Sequence, residues 1–528
     1  MTPSLRLPAA LLAGFLLAAC GRSEAPPTTS QDDGKAGDHA AAEDIAWFPG
    51  TVDEAFAAAK EQGKPIFLYW GAAWCPPCHE IKATVFRSRE FIERSRLFVP
   101  VYLDGDSENA QALGEKFGVV GYPTMIVFSP QGEEITRIPG GIDIQAYANV
   151  LDLTLAQAQP VSTLLAKVLD EGATLSAEEC RLMAYYSWGQ NQALLADRDR
   201  AGAFRAMAGA CPVSAGIERS MLQMAALEAA VKAAGDKDNP VAMTPEQKAE
   251  ALQQVGEMLA DKALVRASLY TVVGAGTDIT KAITEPGSAE RAGLQARFVD
   301  VLKRVQDDPS LFTTERLYGT LGLMDFARID DAEAPLPPEL VEDVRARVAK
   351  ADAATTDTYE RQTVINTASH LLEEAGLKEE AKQMLLAELE RSKQPYYFMV
   401  GLANLEEEAG NKEAAIDWLR RAYDASTGPA TRFQWGNYYV NGLLEMTPDD
   451  VSGIQAATVS VVRELEKSRA FYQRPKAQLE RLEKKLEAWG TTPERREGLA
   501  AIRKDVLAIC GTIPAEEPAR ATCEGFLG

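Results

Sequence analysis

The sequence predicts a multidomain chain, in which an α/β domain with a central mixed sheet flanked by helices is followed by a large, repeat-like all-helical domain. Its 528 residues are too many for one hydrophobic core. Within residues 44–157, short apolar runs of strand length alternate with helical segments. Within residues 158–528, Ala, Leu, Glu, Lys and Arg dominate and strand-like alternation is absent. We therefore expect two folded parts with these boundaries.

The first 19 residues have the pattern of a secretory signal. Arg6 supplies a positive charge, and residues 7–19 form an apolar run too short to span a bilayer. The run ends at Cys20 and Gly21, and this junction resembles the lipobox of bacterial lipoproteins. The resemblance implies cleavage before Cys20 and attachment of lipid to that cysteine. A plain secretory signal with an incidental cysteine is the alternative.

Residues 20–43 predict a flexible tether, since they are rich in Ser, Thr, Pro, Ala, Asp and Gly and lack periodicity. A tethered lipoprotein would lie in the bacterial cell envelope and face the periplasm. Gly21, rather than Asp, after the lipid-bearing cysteine favours the outer membrane over the inner one. The sequence contains no later apolar run long enough to predict a membrane-spanning helix.

The overall charge of the chain argues against one class of binding partner, nucleic acids. The formal net charge is -22, which argues against binding to a nucleic-acid backbone, because that requires clustered Lys and Arg. The acidic residues are spread along the chain, a distribution typical of a solvated surface. We therefore expect no nucleic-acid partner.

The α/β domain is predicted from an ordered series of elements. A strand at 66–70 is ended by small residues at 71–73, and a helix follows at 80–86. Further strands are expected at 98–104, 125–128 and 135–138, and further helices at 109–117 and 142–156. Their order is strand, helix, strand, helix, strand, strand, helix.

Two cysteines lie at the first strand-to-helix junction. Cys75 stands at the predicted helix start, and Cys78 lies about one turn further on. Free amides and the helix dipole at a helix N-terminus stabilise an anion, so the pKa of the Cys75 thiol is expected to be low. Two thiols at this spacing form a reversible dithiol/disulfide couple.

Two motifs together resemble the thioredoxin superfamily. The segment Trp74-Cys75-Pro76-Pro77-Cys78 is followed later by Gly121-Tyr122-Pro123-Thr124 and an apolar strand. The resemblance implies a thiol–disulfide oxidoreductase with Cys75 as nucleophile and Cys78 as resolving thiol, and needs no organic cofactor or metal. It implies a cis Pro123 and substrate contacts from Trp74, Tyr122, Pro123 and Thr124. The expected neighbours of the site are Tyr69, Pro76, Pro77 and His79.

One position departs from the family pattern. Thioredoxin usually has a buried Asp six residues before the first cysteine, where this sequence has Tyr69. The carboxylate that helps to deprotonate the second cysteine is therefore missing. This departure bears on the efficiency of reduction rather than on disulfide exchange as such.

Three other interpretations of the cysteine pair remain open. It could be half of a zinc site, although the chain has no second Cys-x-x-Cys and only three His. The pattern Cys75-Pro76-Pro77-Cys78-His79 also matches c-type haem attachment, with His79 as axial ligand. An inert structural disulfide is the third. In the redox interpretation, His79 is expected to be a partly exposed neighbour that favours the thiolate.

The helical region contains an internal repeat of 34 residues. The segment around Gly376 recurs around Gly410, and Pro395 and Pro429 keep the same offset. This period resembles the tetratricopeptide repeat, in residues 362–445, and implies stacked helix pairs with a concave binding surface. The small residues expected at close helix contacts are Ala381, Ala415 and Ala422. The aromatic run at 433–439 is expected in the core.

The remaining cysteines are predicted to form structural disulfides. They are Cys180, Cys211, Cys510 and Cys523, and proximity in sequence favours Cys180–Cys211 and Cys510–Cys523. All three possible connectivities stay open at this stage.

Two functions follow from the sequence. The first is a membrane-tethered periplasmic oxidoreductase, whose helical region docks protein thiol/disulfide clients or a membrane electron donor. The second is a non-enzymatic envelope scaffold with repeats, whose redox domain is vestigial or regulatory.

Overall fold

The computed structural model describes residues 45–107, 109–141, 144–156, 158–466 and 471–528. These residues form a four-stranded mixed sheet with helices, followed by a large helical region, which confirms the predicted fold class. The expected signal, Cys20 and the tether lie outside the described residues. Among the described helices, none is both long and apolar enough to cross a membrane.

The sheet consists of strands β1 (Ile66–Gly71), β2 (Val99–Asp104), β3 (Thr124–Phe128) and β4 (Glu134–Ile138), in the order β2-β1-β3-β4. Strand β1 runs parallel to β2 and antiparallel to β3, and β3 is antiparallel to β4. All of β1 is buried, as its continuous apolar sequence requires for a strand covered on both faces. It therefore forms the centre of the domain.

Five α-helices cover this sheet: α1 (Val52–Gln62), α2 (Pro76–Ala83), α3 (Arg89–Ser95), α4 (Ala110–Lys116) and α5 (Ile144–Leu155). Helices α1 and α3 were not predicted. Each begins after a side-chain cap, Thr51 for α1 and Ser88 for α3. Helix α2 begins at Pro76, directly after Cys75 as predicted, because proline fits the first helical turn. It ends at Ala83, and residues Val85–Arg87 form a 3₁₀ turn instead.

The helical region contains twenty α-helices within its described residues. They are α6 (Val161–Leu169), α7 (Ala177–Ala184), α8 (Arg200–Ala210), α9 (Gly216–Ala234), α10 (Pro245–Ala260), α11 (Lys262–Ala267), α12 (Leu269–Gly274), α13 (Gly276–Ile283), α14 (Ala289–Asp307), α15 (Thr313–Ala327), α16 (Pro338–Ala354), α17 (Thr358–Glu374), α18 (Lys378–Leu389), α19 (Pro395–Glu408), α20 (Lys412–Ala425), α21 (Pro429–Met446), α22 (Val451–Glu466), α23 (Gln473–Trp489), α24 (Pro493–Cys510) and α25 (Pro518–Gly525).

The 34-residue period has a structural counterpart in helices α17 to α20. Gly376 and Gly410 have φ angles of 78° and 80° at the turns between paired helices, a conformation that glycine adopts without strain. The small residues expected at close contacts, Ala381, Ala415 and Ala422, are buried. The assignment of these pairs to the tetratricopeptide family stays a prediction.

Two disulfides brace the helical region. Cys180 in α7 is bonded to Cys211 just after α8, and Cys510 in α24 is bonded to Cys523 in α25. Each joins elements that are close in sequence, with separations of 31 and 13 residues.

Removal of the Cys180–Cys211 disulfide, which closes the longer of the two loops, is expected to destabilise the protein. Replacing Cys180 and Cys211 together by Ser should lower the free energy of unfolding by about 3.7 kcal/mol, because the unfolded chain regains the conformational freedom that loop closure removes. Chemical denaturation of the two proteins measures the difference. The matched variant with Ser at 510 and 523 should lose about 0.7 kcal/mol less, since its loop is shorter. Equal stability of the wild type and the first variant would contradict the prediction.

Candidate redox site

The cysteine pair is built into the start of α2. Cys75 is the N-cap residue, and its Sγ atom accepts a hydrogen bond from the backbone N–H of Cys78 over 3.2 Å. The two residues are disulfide-bonded. After reduction, a thiolate at Cys75 would keep this hydrogen bond and the positive end of the helix dipole. The N-terminus of α2 is therefore suited to hold Cys75 as the attacking anion.

The Gly-Tyr-Pro-Thr loop meets the cysteine pair at the same edge of the sheet. Trp70, near the end of β1, pairs with Thr124 at the start of β3, so the segments beyond these two residues converge. The Tyr122–Pro123 peptide bond is cis. The Thr124 hydroxyl is buried and donates to the Gly121 carbonyl over 2.7 Å, which closes the loop. The Pro123 loop therefore meets the sheet at the edge from which the chain leaves β1 towards Cys75.

Tyr69 occupies the position where a buried carboxylate would stand. Its ring is fully buried and stacks on Tyr102 with 5.4 Å between ring centroids. Its hydroxyl has no hydrogen-bond partner among the described residues. Burial raises the pKa of Tyr69 far above its ordinary value, and Asp104 adds to this effect. The position holds a neutral phenol, which can donate a hydrogen bond but cannot supply a negative charge.

His79 differs from the sequence expectation. It is 3% exposed rather than partly exposed, because Tyr359 of α17 stacks on its ring at 5.0 Å between centroids. Burial lowers the pKa of His79 to about 4, although a hydrogen bond to the Ala73 carbonyl opposes this change. The ring is therefore neutral at pH 7, with Nε2 donating to the Ala73 carbonyl oxygen over 2.5 Å. The expectation that His79 is partly exposed was therefore wrong, and that it favours the thiolate stays a prediction.

Residues 52–154 match the protein family described as "Thioredoxin-like domain". These residues form a thioredoxin-like domain. The match covers the sheet, the cysteine pair and the Pro123 loop, and it ends before α6 begins. Among the described residues, no group of three or more His, Cys, Asp and Glu side chains is arranged to hold a metal ion.

Two curated relatives of the chain have names that refer to disulfide chemistry. "Thiol:disulfide interchange protein DsbD" of Yersinia pestis is 33% identical over 102 residues, which are 19% of this chain and 17% of that protein. "Protein disulfide-isomerase erp38" of Neurospora crassa is 29% identical over 92 residues, 17% of this chain and 24% of that protein. The chain thus spans less than a quarter of the length of these relatives. The thioredoxin-like domain and these similarities support thiol–disulfide oxidoreductase chemistry.

Two solved structures are also similar to part of the chain. A thioredoxin from Thermus thermophilus is 22% identical, with a TM-score of 0.20, and covers 22% of this chain and 90% of its own. "DsbH Oxidoreductase" is 21% identical, with a TM-score of 0.20, and covers 24% of this chain and 95% of its own.

Aromatic residues of the helical region lie directly on the redox site. Trp435 of α21 packs edge-on against Trp74 with 5.1 Å between ring centroids, and Tyr397 of α19 stacks on Trp74 at 6.2 Å. Trp74 is 2% exposed, Cys75 2% and Cys78 0%. The aromatic run at 433–439 was expected in the core, and its Trp435 is indeed buried. The hydrophobic core that Trp435 joins also contains Trp74, Cys75 and Cys78 of the redox site.

Polar side chains of the helical region bind backbone carbonyls of the cysteine turn and of the Pro123 loop. The Thr363 hydroxyl donates to the Pro76 carbonyl over 2.8 Å, and the Gln190 side-chain amide donates to the Pro123 carbonyl. Gln190 belongs to no motif, Thr363 lies in the predicted repeat region but at none of the positions that mark its period, and each lies far along the chain from its partner. Sequence reasoning therefore missed both, and no local signal could have found them.

Two partly buried acids of the thioredoxin-like domain face the helical region. Burial raises the pKa of Glu80 to about 8, and the carboxylates of Glu315 and Glu360 add to this effect. Burial, assisted by Asp104, raises the pKa of Asp106 to about 7, although hydrogen bonds from Thr431 oppose the rise. Both acids therefore bind protons more tightly in the folded arrangement than in water.

Stability is expected to fall as the pH rises from about 5 to about 8. Because the folded-state pKa values of Glu80 and Asp106 lie above their ordinary values of 4.5 and 3.8, the folded state binds more protons than the unfolded state in this window. Their contribution is fully present below about pH 4 and is lost as the pH rises through about 7 and 8. Thermal unfolding across this range measures the slope.

Neutral variants provide the control for this pH dependence. Glu80→Gln with Asp106→Asn should reduce the slope between pH 5 and 8 without abolishing it, because burial also raises the pKa values of Asp325 and Glu373 to about 7. Glu339→Gln at the exposed start of α16 should leave the slope unchanged. A double variant with the same slope as the wild type would show that other groups cause it.

Proposed function

We propose that this protein is a thiol–disulfide oxidoreductase that acts on protein disulfides through the Cys75–Cys78 couple. The observation that carries the proposal is the position of Cys75 at the N-terminus of α2, where a backbone amide already points at its sulfur atom. The Pro123 loop, which lies at the same edge of the sheet as the cysteine turn, and the thioredoxin-like domain support it.

In the reducing direction, the Cys75 thiolate attacks one sulfur of a client disulfide. A bond forms between Cys75 Sγ and that sulfur, the client S–S bond breaks, and the second client sulfur leaves as a thiolate that takes up a proton. The Cys78 thiolate then attacks Cys75 Sγ, which releases the first client sulfur. Two electrons pass to the client, and a dithiol donor must reduce the couple again. In the oxidising direction the same steps reverse.

The accessory features of the proposal come from the sequence. The pattern ending at Cys20 supports a lipid anchor in the bacterial envelope with the folded part in the periplasm, and Gly21 favours the outer membrane. The couple needs no organic cofactor or metal. The helical region would dock protein clients or a membrane electron donor, and the paired helices α17 to α20 are the candidate surface.

The reduction potential of the couple tests the proposal. The full chain is equilibrated in thiol redox buffers, and the state of Cys75 and Cys78 is determined from their alkylated peptides. A reduction potential of about -270 mV would indicate a reductase, and one of about -120 mV would indicate an oxidant. The separate state of Cys180 and Cys211 is the internal control. If Cys75 and Cys78 do not form a reversible couple, the oxidoreductase proposal fails and the envelope scaffold takes its place.

A further inference from the structure

The redox disulfide is inaccessible in the closed arrangement that the structure shows. Disulfide exchange requires an incoming sulfur to contact one sulfur of the pair. Cys75 is 2% exposed and Cys78 0%, so neither sulfur can be reached by a protein client. Residues that flank the pair are equally enclosed, since Trp74 and Pro76 are also buried.

The enclosure is made by the chain's own helical region at three places. Trp435 and Tyr397 cover Trp74. Thr363 and Gln190 occupy backbone carbonyls of the cysteine turn and of the Pro123 loop. These four residues come from separate segments between α7 and α21 but converge on one face of the thioredoxin-like domain. We call this group the cover.

Peripheral contacts of the same interface are of a kind that can break and re-form. Arg87 pairs with Asp357 over 2.9 Å, and the Arg87 side chain is 56% exposed. The Asp106 carboxylate accepts hydrogen bonds from the backbone N–H and hydroxyl of Thr431 over 3.2 and 3.0 Å. Contacts of this kind each add little net stability, because water replaces them when the surfaces separate.

Closure also leaves polar atoms without partners. Nε1 of Trp74, Nδ1 of His79 and Oε1 of Gln190 are buried, and none has a hydrogen-bond partner in the described part of the chain. An unsatisfied buried polar atom costs free energy that hydration would recover. The interface therefore carries a built-in penalty at the place where it covers the site.

We propose that the helical region is an autoinhibitory cover, and that a client reaches Cys75 only after Trp435, Tyr397, Thr363 and Gln190 have moved off the redox face. The biological role of the cover rests on the proposed function. The existence of the cover does not, because it depends only on how accessible the Cys75–Cys78 disulfide is. The cover would admit clients only during opening, so a partner that binds the helical region could control exchange.

The test is the rate at which dithiothreitol reduces the Cys75–Cys78 disulfide in the full oxidised chain. Samples are quenched with an alkylating reagent, and peptide mass spectrometry reports these two cysteines separately from the other pairs. We expect reduction in the native chain to be at least tenfold slower than in the same chain unfolded in urea. A native rate within tenfold of the unfolded rate would overturn the proposal.

Variants that loosen the cover without changing its shape sharpen the test. Thr363→Val combined with Gln190→Leu removes both hydrogen bonds to the site backbone and should accelerate reduction at least threefold. Thr458→Val is the matched control, because this buried hydroxyl binds only the Ile454 carbonyl of its own helix α22. Far-ultraviolet circular dichroism checks that all three proteins are folded. A double variant that is reduced less than threefold faster than the wild type contradicts the cover.

The experiment separates the cover from the proposed function. Dithiothreitol reports accessibility and does not depend on catalysis. If reduction is slow and the double variant accelerates it, but no variant exchanges disulfides with a protein client such as insulin, the cover stands and the oxidoreductase proposal fails.

Discussion

Replacing Cys75 by Ser is expected to lower the rate of disulfide exchange with a protein client by at least about 1,000-fold, because a serine hydroxyl stays protonated at pH 7 and is a poor nucleophile. The N-terminus of α2 stabilises an anion at this position, but its dipole and single amide cannot ionise an alcohol. Turnover of insulin disulfides by the full chain, with dithiothreitol as electron donor, measures the loss.

Cys78→Ser is the informative companion to this variant. It retains the attacking thiol at Cys75 but lacks the resolving thiol, so it should accumulate a mixed disulfide with the client. Non-reducing electrophoresis detects that adduct. The variant with Ser at 510 and 523 should keep its exchange rate, since those cysteines, in α24 and α25, belong neither to the site nor to the cover. If Cys75→Ser exchanged disulfides as fast as the wild type, Cys75 could not be the nucleophile.

Replacing Trp435 by Ala is expected to lower the free energy of unfolding by about 3–5 kcal/mol, the usual cost of removing a large buried aromatic side chain. Trp435 is 1% exposed and packs against Trp74 and Tyr396, with 5.1 and 5.2 Å between ring centroids. Its Nε1 atom donates to the Tyr396 carbonyl over 2.9 Å, so the substitution also leaves a buried acceptor unpaired. Denaturant titration of the folded proteins measures the change.

Trp489→Ala separates this stability effect from the effect on the site. Trp489 of α23 is also buried, and its Nε1 atom donates to the Pro448 carbonyl over 2.7 Å, away from the redox face. Both variants should be destabilised, but only Trp435→Ala should speed the reduction of the Cys75–Cys78 disulfide. Equal reduction rates in the two variants would mean that Trp435 stabilises the fold without covering the site.

Burial gives the redox site an electrostatic environment that its local sequence does not indicate. His79 directly follows Cys78, where a cationic side chain would stabilise a thiolate. Enclosure by Tyr359 nevertheless keeps the imidazole neutral. Tyr69, at the position where thioredoxin usually has a buried Asp, contributes a neutral phenol and no negative charge. In the closed arrangement, stabilisation of a Cys75 thiolate therefore depends on the amides and dipole of α2.

The sequence by itself determined the features that depend on short stretches of chain. Apolar runs located strands β1, β2 and β3, since a largely buried strand needs mostly apolar side chains. Strand β4, whose residues are Glu-Ile-Thr-Arg-Ile, was located instead from its place after the turn that follows β3. The Cys-x-x-Cys spacing and Pro76 located the start of a helix under the cysteine pair. The 34-residue period located the paired helices α17 to α20, because glycine at each turn and alanine at each close contact repeat with the structure.

Only the tertiary structure decided what surrounds the disulfide. Gln190, Thr363, Tyr397 and Trp435 are brought to one face by the packing of separate helices, and nothing in their own neighbourhoods marks them as site residues. The burial of His79 and the pairing of the four outer cysteines depend on the same packing. Local periodicity reports which face of an element is apolar, but the partner of that face is chosen by the fit of the whole chain.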